Sequence, residues 1–449
     1  MTVVALGARL GALQVIPNRK FGYPFLFRVQ YPRRTVRVMR ADRRVWVKPL
    51  DADRVARAKA AFTTRRVLPE SIASLISGAV RPRSGDLVLA RIVQLGHHRH
   101  IEQPNGRRAV LHDDDEIIVT YGDRYATDQF ESQVPATLGN AQLVASGGIA
   151  SEVLSRSLAV RRATEIEPLG LLGDVKGRPL NIQEFSLKPV SPQVPRPRTI
   201  AVIGTAMNSG KTTTVHCLVN GFSKAGVRVG ATKATGTGSG NDYWCMLDAG
   251  AHLMLDFTDV GLASTYRQPM EVVESKFGEL VDHLTNSGAA LNLVEVADGI
   301  YQDETSRLLE STVFRSMVDA VIFAAPDSMG AVAGVSHLQK LGHDVLAVTG
   351  LLTRSPLAIR EAAAVTGLPV LTREELTDPA LAASLLRMPD LLANTINKDT
   401  VTVGEVQQAR ATSDVLIGPF VATPEWAEPK RGLFGFPRPA TPSGSPDAW

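Results

Sequence analysis

The sequence predicts an α/β protein in which a doubly wound parallel sheet follows smaller, β-rich and barrel-like N-terminal domains. Apolar strands and helices alternate after residue 199, a glycine-rich turn joins the first of those strands to a helix, and short alternating strands precede them. Of the 449 residues, 44% are hydrophobic and 21% charged, which is a globular composition. No apolar run approaches the roughly 20 residues that span a bilayer, and no secretion signal opens the chain. We therefore expect a cytoplasmic protein without membrane contact.

The first 66 residues carry a basic excess, because 16 Lys and Arg face three Asp, for a net charge of +13. Aromatic residues interleave with these arginines, a mixture that could follow a phosphate backbone and stack on bases. Alternation through Phe25, Phe27 and Val29 instead favours a small β-rich core with a solvated arginine face. Residues 1–80 are thus predicted as a basic β-rich region whose last part, from residue 53, is helical. Nucleic-acid binding through residues 1–66 remains an alternative.

A second β-rich domain is predicted over residues 81–185. Short strands at residues 85–96, 108–112 and 116–121, joined by turns, indicate a small barrel. Two polar groups in this domain receive no functional role from the sequence. One is a histidine group without acidic or cysteine ligands at metal spacing, and the other is a loop of charged and hydroxyl-bearing residues. The histidine group consists of His97, His98 and His100, and the loop contains Arg124, Tyr125, Asp128 and Glu131.

The remaining chain divides into a linker, a nucleotide-binding domain and a tail. Four prolines make residues 186–198 an extended linker, residues 199–426 form the nucleotide domain, and residues 427–449 are expected to be disordered. Buried parallel strands and one later helix are predicted within the domain. The strands are Ile200–Ile203, Val227–Thr232, Ala290–Glu295, Ala320–Ala325, Val345–Thr349 and Pro369–Leu371, and the helix is Ser355–Val365.

A phosphate-binding loop follows the first of these strands. The glycines Gly204 and Gly210 enclose five residues, one more than in the standard motif, and Lys211 and Thr212 follow. The glycines allow backbone N–H groups to surround a phosphate, Lys211 can reach the terminal phosphates, and the Thr212 hydroxyl can bind Mg²⁺. The predicted nucleotide-binding residues are Gly204, Thr205, Asn208, Ser209, Gly210, Lys211, Thr212 and Thr213.

Two further strand ends carry reactive groups, and the carboxyl ends of strands in such a sheet face the ligand. Lys233 precedes a flexible loop containing Thr237, so a second ammonium could stabilise the charge of a transferred phosphoryl group. Glu295 ends another strand and can hold Mg²⁺, with Asp242 or Asp248 completing the metal shell. Lys211, Lys233 and Thr237 are the predicted catalytic residues, and Thr212, Asp242, Asp248 and Glu295 the predicted metal ligands.

Residues 199 to about 372 resemble the dethiobiotin synthetase type of P-loop domain. The phosphate loop with its extra residue, Lys233 with Thr237 and Gly238, and Val294-Glu295 with Gly299 match that family's motifs in order. The resemblance implies phosphate contacts for Lys211 and Lys233, and Mg²⁺ binding by Thr212, Asp242 or Asp248, and Glu295.

Departures from the family argue against dethiobiotin synthesis itself. The family's acidic position in the phosphate loop is Ala206 here, and two of its glycines after the metal-binding Glu are Val296 and Asp298. Ala206 also stands where partitioning ATPases of this group carry a signature lysine.

Two classes of function remain. The first, which Lys233 and Glu295 favour, is an enzyme that uses Mg²⁺ and ATP, with GTP left open, to phosphorylate or ligate a small carboxylate-bearing metabolite. The second, which the basic N-terminal charge favours, is a nucleotide-dependent switch that binds nucleic acid or a protein. We also expect a homodimer.

Overall fold

The structure, a computed structural model of the chain, describes residues 44–392. The most basic part of the predicted N-terminal region, residues 393–426 of the predicted nucleotide domain and the predicted tail lie outside the described residues. Within residues 44–392, no helix is long and apolar enough to cross a membrane.

The N-terminal half, residues 44–186, is built almost entirely from β-strands and contains one short helix, α1 (Ala52–Arg57). Its strands are β1 (Val45–Pro49), β2 (Lys59–Ala60), β3 (Ser74–Gly78), β4 (Leu87–Gln94), β5 (His100–Glu102), β6 (Arg108–Val110), β7 (Glu116–Tyr121), β8 (Phe130–Gln133), β9 (Ala141–Ala145), β10 (Ile149–Arg156) and β11 (Thr164–Gly173).

Five of these strands close into a barrel. The strand β11 pairs with β4, β4 with β7, β7 with β10, β10 with β9, and β9 again with β11. Alternate residues of β4, among them Val88 and Ala90, join one apolar cluster with residues of the other barrel strands. The intervening Leu87 and Leu89 join a second cluster with Val55 of α1, so both faces of β4 are buried. The barrel-like architecture predicted for the N-terminal part is confirmed.

The predicted helix over residues 53–80 is wrong except for α1. Residues 74–78 form β3, which pairs with β1 on one side and with β11 on the other. Apolar residues at positions 72, 75 and 76 resemble a helical face, but burial along β3 alternates, with Ser74 and Ile76 inward. Strands on both sides of residue 80, the predicted domain boundary, therefore share one sheet.

The proline-rich residues 186–198 contain no helix or strand and run along the second half of the molecule. Asn286 Nδ2 donates to the Ser191 carbonyl at 2.9 Å, and Arg196 forms an ion pair with Asp319 at 2.7 Å. These contacts attach the connection to the P-loop half, residues 199–392, along its length.

The P-loop half contains six strands and nine helices among its described residues. The strands are β12 (Thr199–Gly204), β13 (Val229–Lys233), β14 (Leu253–Asp256), β15 (Leu291–Glu295), β16 (Ala320–Ala324) and β17 (Val345–Thr349). The helices are α2 (Lys211–Lys224), α3 (Gly240–Asp248), α4 (Met270–Asn286), α5 (Asp303–Glu310), α6 (Thr312–Met317), α7 (Ser328–Lys340), α8 (Pro356–Thr366), α9 (Arg373–Thr377) and α10 (Pro379–Leu385).

All six strands are parallel, in the order β14-β13-β15-β12-β16-β17. Successive strand residues face opposite sides: Ile203 packs in a cluster with α4 and α7, whereas Val202 packs with α2. Helices therefore cover both faces, and the doubly wound fold is confirmed. The strand β14 was missed, and at positions 369–371 the structure has an isolated bridge between Val348 and Val370 rather than a strand.

The two halves pack against each other through buried polar contacts, and residues 44–392 belong to one compact unit. Arg65 of the N-terminal half forms ion pairs with Asp256 at 3.1 Å and Asp259 at 2.6 Å. Its guanidinium carbon lies 4.1 Å from the ring centre of Phe62 and 4.8 Å from that of Tyr243. A buried guanidinium held this way fixes the position of β14 and α3 against the barrel.

Candidate functional site

The strand β12 and helix α2 are joined by a tight phosphate loop. Asn208 has a φ of 59° and Gly210 a φ of 111°, so the backbone turns through the left-handed region twice before α2 begins. A Cβ on Gly210 would lie 2.8 Å from the Gly350 Cα, and one on Gly204 would clash with the Ser209 side chain. Glycine is required at both positions, as the sequence predicts.

Lys211, the first residue of α2, folds back over this loop. Its ammonium donates to the carbonyl oxygens of Ala206 and Asp298, each at 2.7 Å. Burial lowers the pKa of Lys211, and in the part of the chain that the structure describes no carboxylate lies within ion-pair distance of it. Neutral carbonyls are weaker partners for an ammonium than phosphate oxygens. The side chain is therefore positioned for an anion at the loop.

Thr212 and Glu295 form the oxygen pair that a hard cation requires. The Thr212 hydroxyl donates to Glu295 Oε1 at 2.9 Å, whereas the buried Oε2 has no hydrogen-bond partner among residues 44–392. Burial raises the pKa of Glu295. An unpartnered buried carboxylate oxygen beside a hydroxyl fits Mg²⁺, which binds few protein oxygens and completes its shell with water and phosphate.

The two other predicted metal ligands occupy different places. Asp242, in the first turn of α3, lines the same cavity as Glu295 but forms an ion pair with Lys233. Asp248, at the other end of α3, does not line this cavity and faces a separate depression beside Trp244. Asp248 follows Asp242 by six positions, which rotates it by roughly 600°, or about 240° beyond a full turn, so α3 cannot present both to one metal ion. No group of three or more His, Cys, Asp or Glu side chains in the described chain could hold a metal.

Lys233, the last residue of β13, brings a second ammonium to the cavity. Burial would lower its pKa, but the charges of Asp242 and Glu295 outweigh burial and raise the pKa, so the side chain remains a cation. In the loop that follows, Gly236 has a φ of 124°, and Thr237 lines the cavity. Lys211, Lys233 and Thr237, the three predicted catalytic residues, thus face one space.

The remaining predicted nucleotide-binding residues divide into two groups. Asn208, Gly210, Thr212 and Thr213 line the cavity, whereas Gly204, Thr205 and Ser209 do not line it and shape the loop from behind. Behind the loop, the Ser209 carbonyl accepts from the Leu351 N–H at 3.1 Å. Leu351 and Arg354, which follow β17, complete this end of the cavity.

The opposite wall comes from the N-terminal half, so both halves enclose the cavity of about 650 Å³. The residues of this N-terminal wall are His98, Arg124, Tyr125, Gln129, Ala145, Ser146 and Gly147. Asp128 Oδ2 also accepts from the phosphate-loop residue Asn208 at 2.8 Å. Sequence motifs do not predict this wall, because its residues come from separate loops that only the folded barrel brings together.

Arg124 is the most unusual residue of this wall. Its side chain is 7% exposed, and its Nη2 donates to Gln129 Oε1 at 3.0 Å. Burial lowers the pKa of Arg124 to about 10. His98, whose Nε2 lies 3.3 Å from Arg124 Nη1, has its pKa lowered to about 3, chiefly by burial and then by Arg124, so its ring is neutral. His98, to which the sequence assigns no functional role, therefore lies in the cavity wall.

Asp298 lines the same cavity as the phosphate loop and Arg124. It has a φ of 62°, and its carbonyl oxygen holds the Lys211 ammonium. Burial raises the pKa of the Asp298 carboxyl to about 6, although the charges of Lys211, Lys233 and Arg124 all oppose this rise. The neighbouring Gly299 allows close approach, since a Cβ there would clash with the Thr205 carbonyl.

On this geometry, residues 199–392 have a P-loop NTPase fold. No family model and no curated protein matches the sequence. Among solved structures, the signal recognition particle 54 kDa protein from Aeropyrum pernix K1 in complex with GDP is similar at 21% identity, over 52% of this chain and 54% of that one, with a TM-score of 0.31.

The signal recognition particle receptor FtsY from Elizabethkingia anophelis matches at 17% identity over 44% of this chain and 70% of that one, with a TM-score of 0.30. The cell division protein FtsY from Thermotoga maritima matches at 20% identity over 46% and 73%, with a TM-score of 0.29. The chain spans about half the length of the first of these proteins. Similarity at this level says nothing about activity, and the dethiobiotin synthetase resemblance stays a prediction.

Proposed function

We propose that this protein is an enzyme that transfers the terminal phosphoryl group of a nucleoside triphosphate, with Mg²⁺, to a small-molecule acceptor. The observation that carries the proposal is the presence of Lys233 in the same cavity as Lys211, Thr212 and Glu295. Phosphoryl transfer is catalysed mainly by positioning and by cations around the transferring group. A site with one ammonium at the phosphate loop and a second at the end of β13, on the far side of β15 from β12, supplies those cations.

Each side chain has a distinct part in this reaction. The loop N–H groups and Lys211 hold the nucleotide phosphates, and Thr212 and Glu295 hold Mg²⁺, which neutralises phosphate charge when bound. The Lys233 ammonium faces the transferring group, and Asp242 orients it. The Thr237 hydroxyl can donate to a phosphate oxygen beside it.

The enclosure by the N-terminal half supports an enzyme rather than a switch. Glu102 of β5 accepts a hydrogen bond from the first N–H of α3, at Gly240, at 2.7 Å, and Arg65 anchors β14. The strand and helix that frame Lys233 are thus held in place by buried contacts. Fixed cations are what transition-state stabilisation requires, whereas a switch requires a segment that changes arrangement with the nucleotide.

The choice of nucleotide and acceptor follows the dethiobiotin synthetase resemblance at the phosphate-binding and metal-binding positions. We infer ATP as the donor, with GTP as the second choice, and phosphorylation or ligation of a carboxylate-bearing metabolite other than the family's diamino substrate. A homodimer in the cytoplasm belongs to the same proposal.

The nucleotide-dependent switch remains the second candidate because of the +13 charge of residues 1–66. It predicts that neutralising Arg33, Arg34 and Arg37 abolishes binding to RNA, DNA or a protein and removes its salt dependence. The enzyme proposal predicts no such loss.

The deciding experiment compares wild type with Lys233→Ala in single-turnover reactions with Mg²⁺ and ATP or GTP, with and without a pool of small cellular metabolites. Removing one fixed donor to transition-state charge should slow turnover about a hundredfold or more. Nucleotide affinity should stay within a few-fold, because Lys211 and the loop remain. Lys340→Ala, on the exposed end of α7, is the matched control. Normal turnover of the Lys233 variant with the metabolite pool would contradict the proposal.

A further inference from the structure

We propose that Arg124 forms a carboxylate-binding subsite, by which the N-terminal half holds the acceptor opposite the phosphate loop. The identification of the bound carboxylate as the phosphoryl acceptor rests on the proposed function. The subsite itself is defined by the residues of the cavity wall. Nothing in the motif pattern of the sequence assigns a ligand to Arg124.

The buried Arg124 guanidinium is unfavourable without an anionic ligand. The guanidinium is largely removed from water, yet within residues 44–392 no carboxylate lies within ion-pair distance of it. Gln129 is a neutral partner, the neutral His98 ring has its Nε2 2.8 Å from the Val144 carbonyl and so donates there, and Arg124 Nε has no acceptor in the described part of the chain. The charges of Asp128 and Asp298 act on Arg124 only from beyond ion-pair distance, and a buried guanidinium that no carboxylate contacts is unfavourable. An anionic ligand in the cavity would offset that cost, whereas a purely structural arginine would have a carboxylate partner, as Arg65 has.

The second argument is position. Arg124 lines the cavity from the N-terminal half, and Asp298, Lys211 and Lys233 line it from the P-loop half. Burial has the largest effect on the pKa of both Arg124 and Lys211, and the charge of Asp298 acts on both groups. Asp298 is therefore near enough to both Lys211 and Arg124 to influence them. The anion at Arg124 occupies a second place, beyond the nucleotide phosphates.

The third argument is the sign and size of the charge. Asp128 and Asp298 lie close enough to act on the Arg124 guanidinium, so a doubly charged phosphate would be repelled by two carboxylates. A carboxylate brings a single negative charge and matches the planar fork of a guanidinium. The Tyr125 ring, which also lines the cavity and lies 5.5 Å from the Tyr266 ring, provides an apolar surface for the rest of the acceptor.

The test measures binding of simple anions to the full chain by saturation-transfer NMR. The probes are acetate and succinate, methylphosphonate as a phosphate-like ion, and acetamide as the neutral counterpart of acetate. Each probe is titrated with and without Mg²⁺ and a non-hydrolysable ATP analogue. The variants are Arg124→Gln, Arg124→Lys, and Arg99→Gln as a matched control, since Arg99 is exposed and does not line the cavity.

We expect acetate or succinate to bind, and to bind at least about tenfold more weakly to Arg124→Gln, with Arg124→Lys between them and Arg99→Gln like wild type. Nucleotide affinity should change less than about twofold in all variants. Thermal unfolding shows whether Arg124→Gln is folded, and Arg124→Lys carries the comparison if it is not.

Three results would overturn the subsite. They are the absence of any carboxylate binding, carboxylate binding equal in wild type and Arg124→Gln, and Arg124-dependent binding of methylphosphonate in preference to acetate. Slower turnover of Arg124→Gln with unchanged carboxylate binding would likewise contradict it, because that result assigns Arg124 to the transition state. Carboxylate binding without nucleotide, in a protein that fails the Lys233 test, would keep the subsite and reject the proposed function.

Discussion

The two halves of the molecule contribute to one cavity by different means. The P-loop half places Gly204, Lys211, Lys233 and Glu295 at one edge of its sheet, because parallel strands end on the same side. The N-terminal half brings together His98, Arg124 and residues near 146 from loops that are distant in sequence. One part of a ligand site can therefore be predicted from sequence motifs while the other part cannot. Backbone motifs are local, whereas a wall made of loop contacts depends on the whole barrel.

Removing the buried contact that joins the two halves should destabilise the protein more than any other substitution considered. Arg65→Met leaves Asp256 and Asp259 buried, and among residues 44–392 the other cation within ion-pair distance is Arg66, 3.7 Å from Asp259. Breaking a buried ion pair in this way should lower the free energy of unfolding by about 3–5 kcal/mol.

Denaturant unfolding measures this effect. Arg178→Met is the control, because Arg178 forms an exposed ion pair with Asp174 in the same half, and its loss should leave the free energy of unfolding nearly unchanged. Equal losses in the two variants would show that the Arg65 cluster does not hold the halves together.

The boundary between the halves can be examined through Asp298. Its pKa is about 6 in the folded chain, against an ordinary 3.8, so between pH 4 and 6 the native state binds protons that the unfolded chain does not. Stability therefore falls as pH rises through 6, by up to about 3 kcal/mol. Asp298→Asn should raise the free energy of unfolding by that amount at pH 8 and leave it unchanged near pH 3.5. Unfolding curves of both proteins across pH check the trend, and a constant difference would contradict it.

The substitution Lys211→Ala tests whether the P-loop half binds the nucleotide phosphates. Without the ammonium, the terminal phosphates lose a charge-assisted bond, and nucleotide affinity should fall about a hundredfold. Calorimetric titration with Mg²⁺ and a non-hydrolysable ATP analogue measures the loss, with Lys340→Ala as control. Unchanged affinity would refute the phosphate-loop assignment.

Glu295→Gln tests the metal position with the smallest expected change. The amide keeps the shape of the side chain but loses the hard anionic oxygen, so half-maximal turnover should need at least about tenfold more Mg²⁺. Nucleotide affinity measured without Mg²⁺ should be nearly unchanged. Identical Mg²⁺ titrations of wild type and variant would exclude Glu295 as a ligand.

The sequence predicts the P-loop half well because its signals are local. The strand, loop and helix around Gly204 and Gly210 require specific backbone angles, and glycine records that requirement in the sequence. Asp248 was misplaced because an acidic residue near a loop does not reveal which face of α3 it occupies. The strand β3 resembled a helix because its apolar spacing is ambiguous over so few residues. Arg124 was seen but not interpreted, since its buried state and neutral partners are properties of the folded barrel.

If both halves form one ligand site, a bound ligand should protect segments of both halves from hydrogen–deuterium exchange. Adding Mg²⁺ and a non-hydrolysable ATP analogue with succinate should slow exchange in residues 204–213 and also in residues 124–129. The turn at residues 174–178, in the same half but outside the cavity, should not change. Protection confined to the phosphate loop, with residues 124–129 exchanging as in the free protein, would contradict the account.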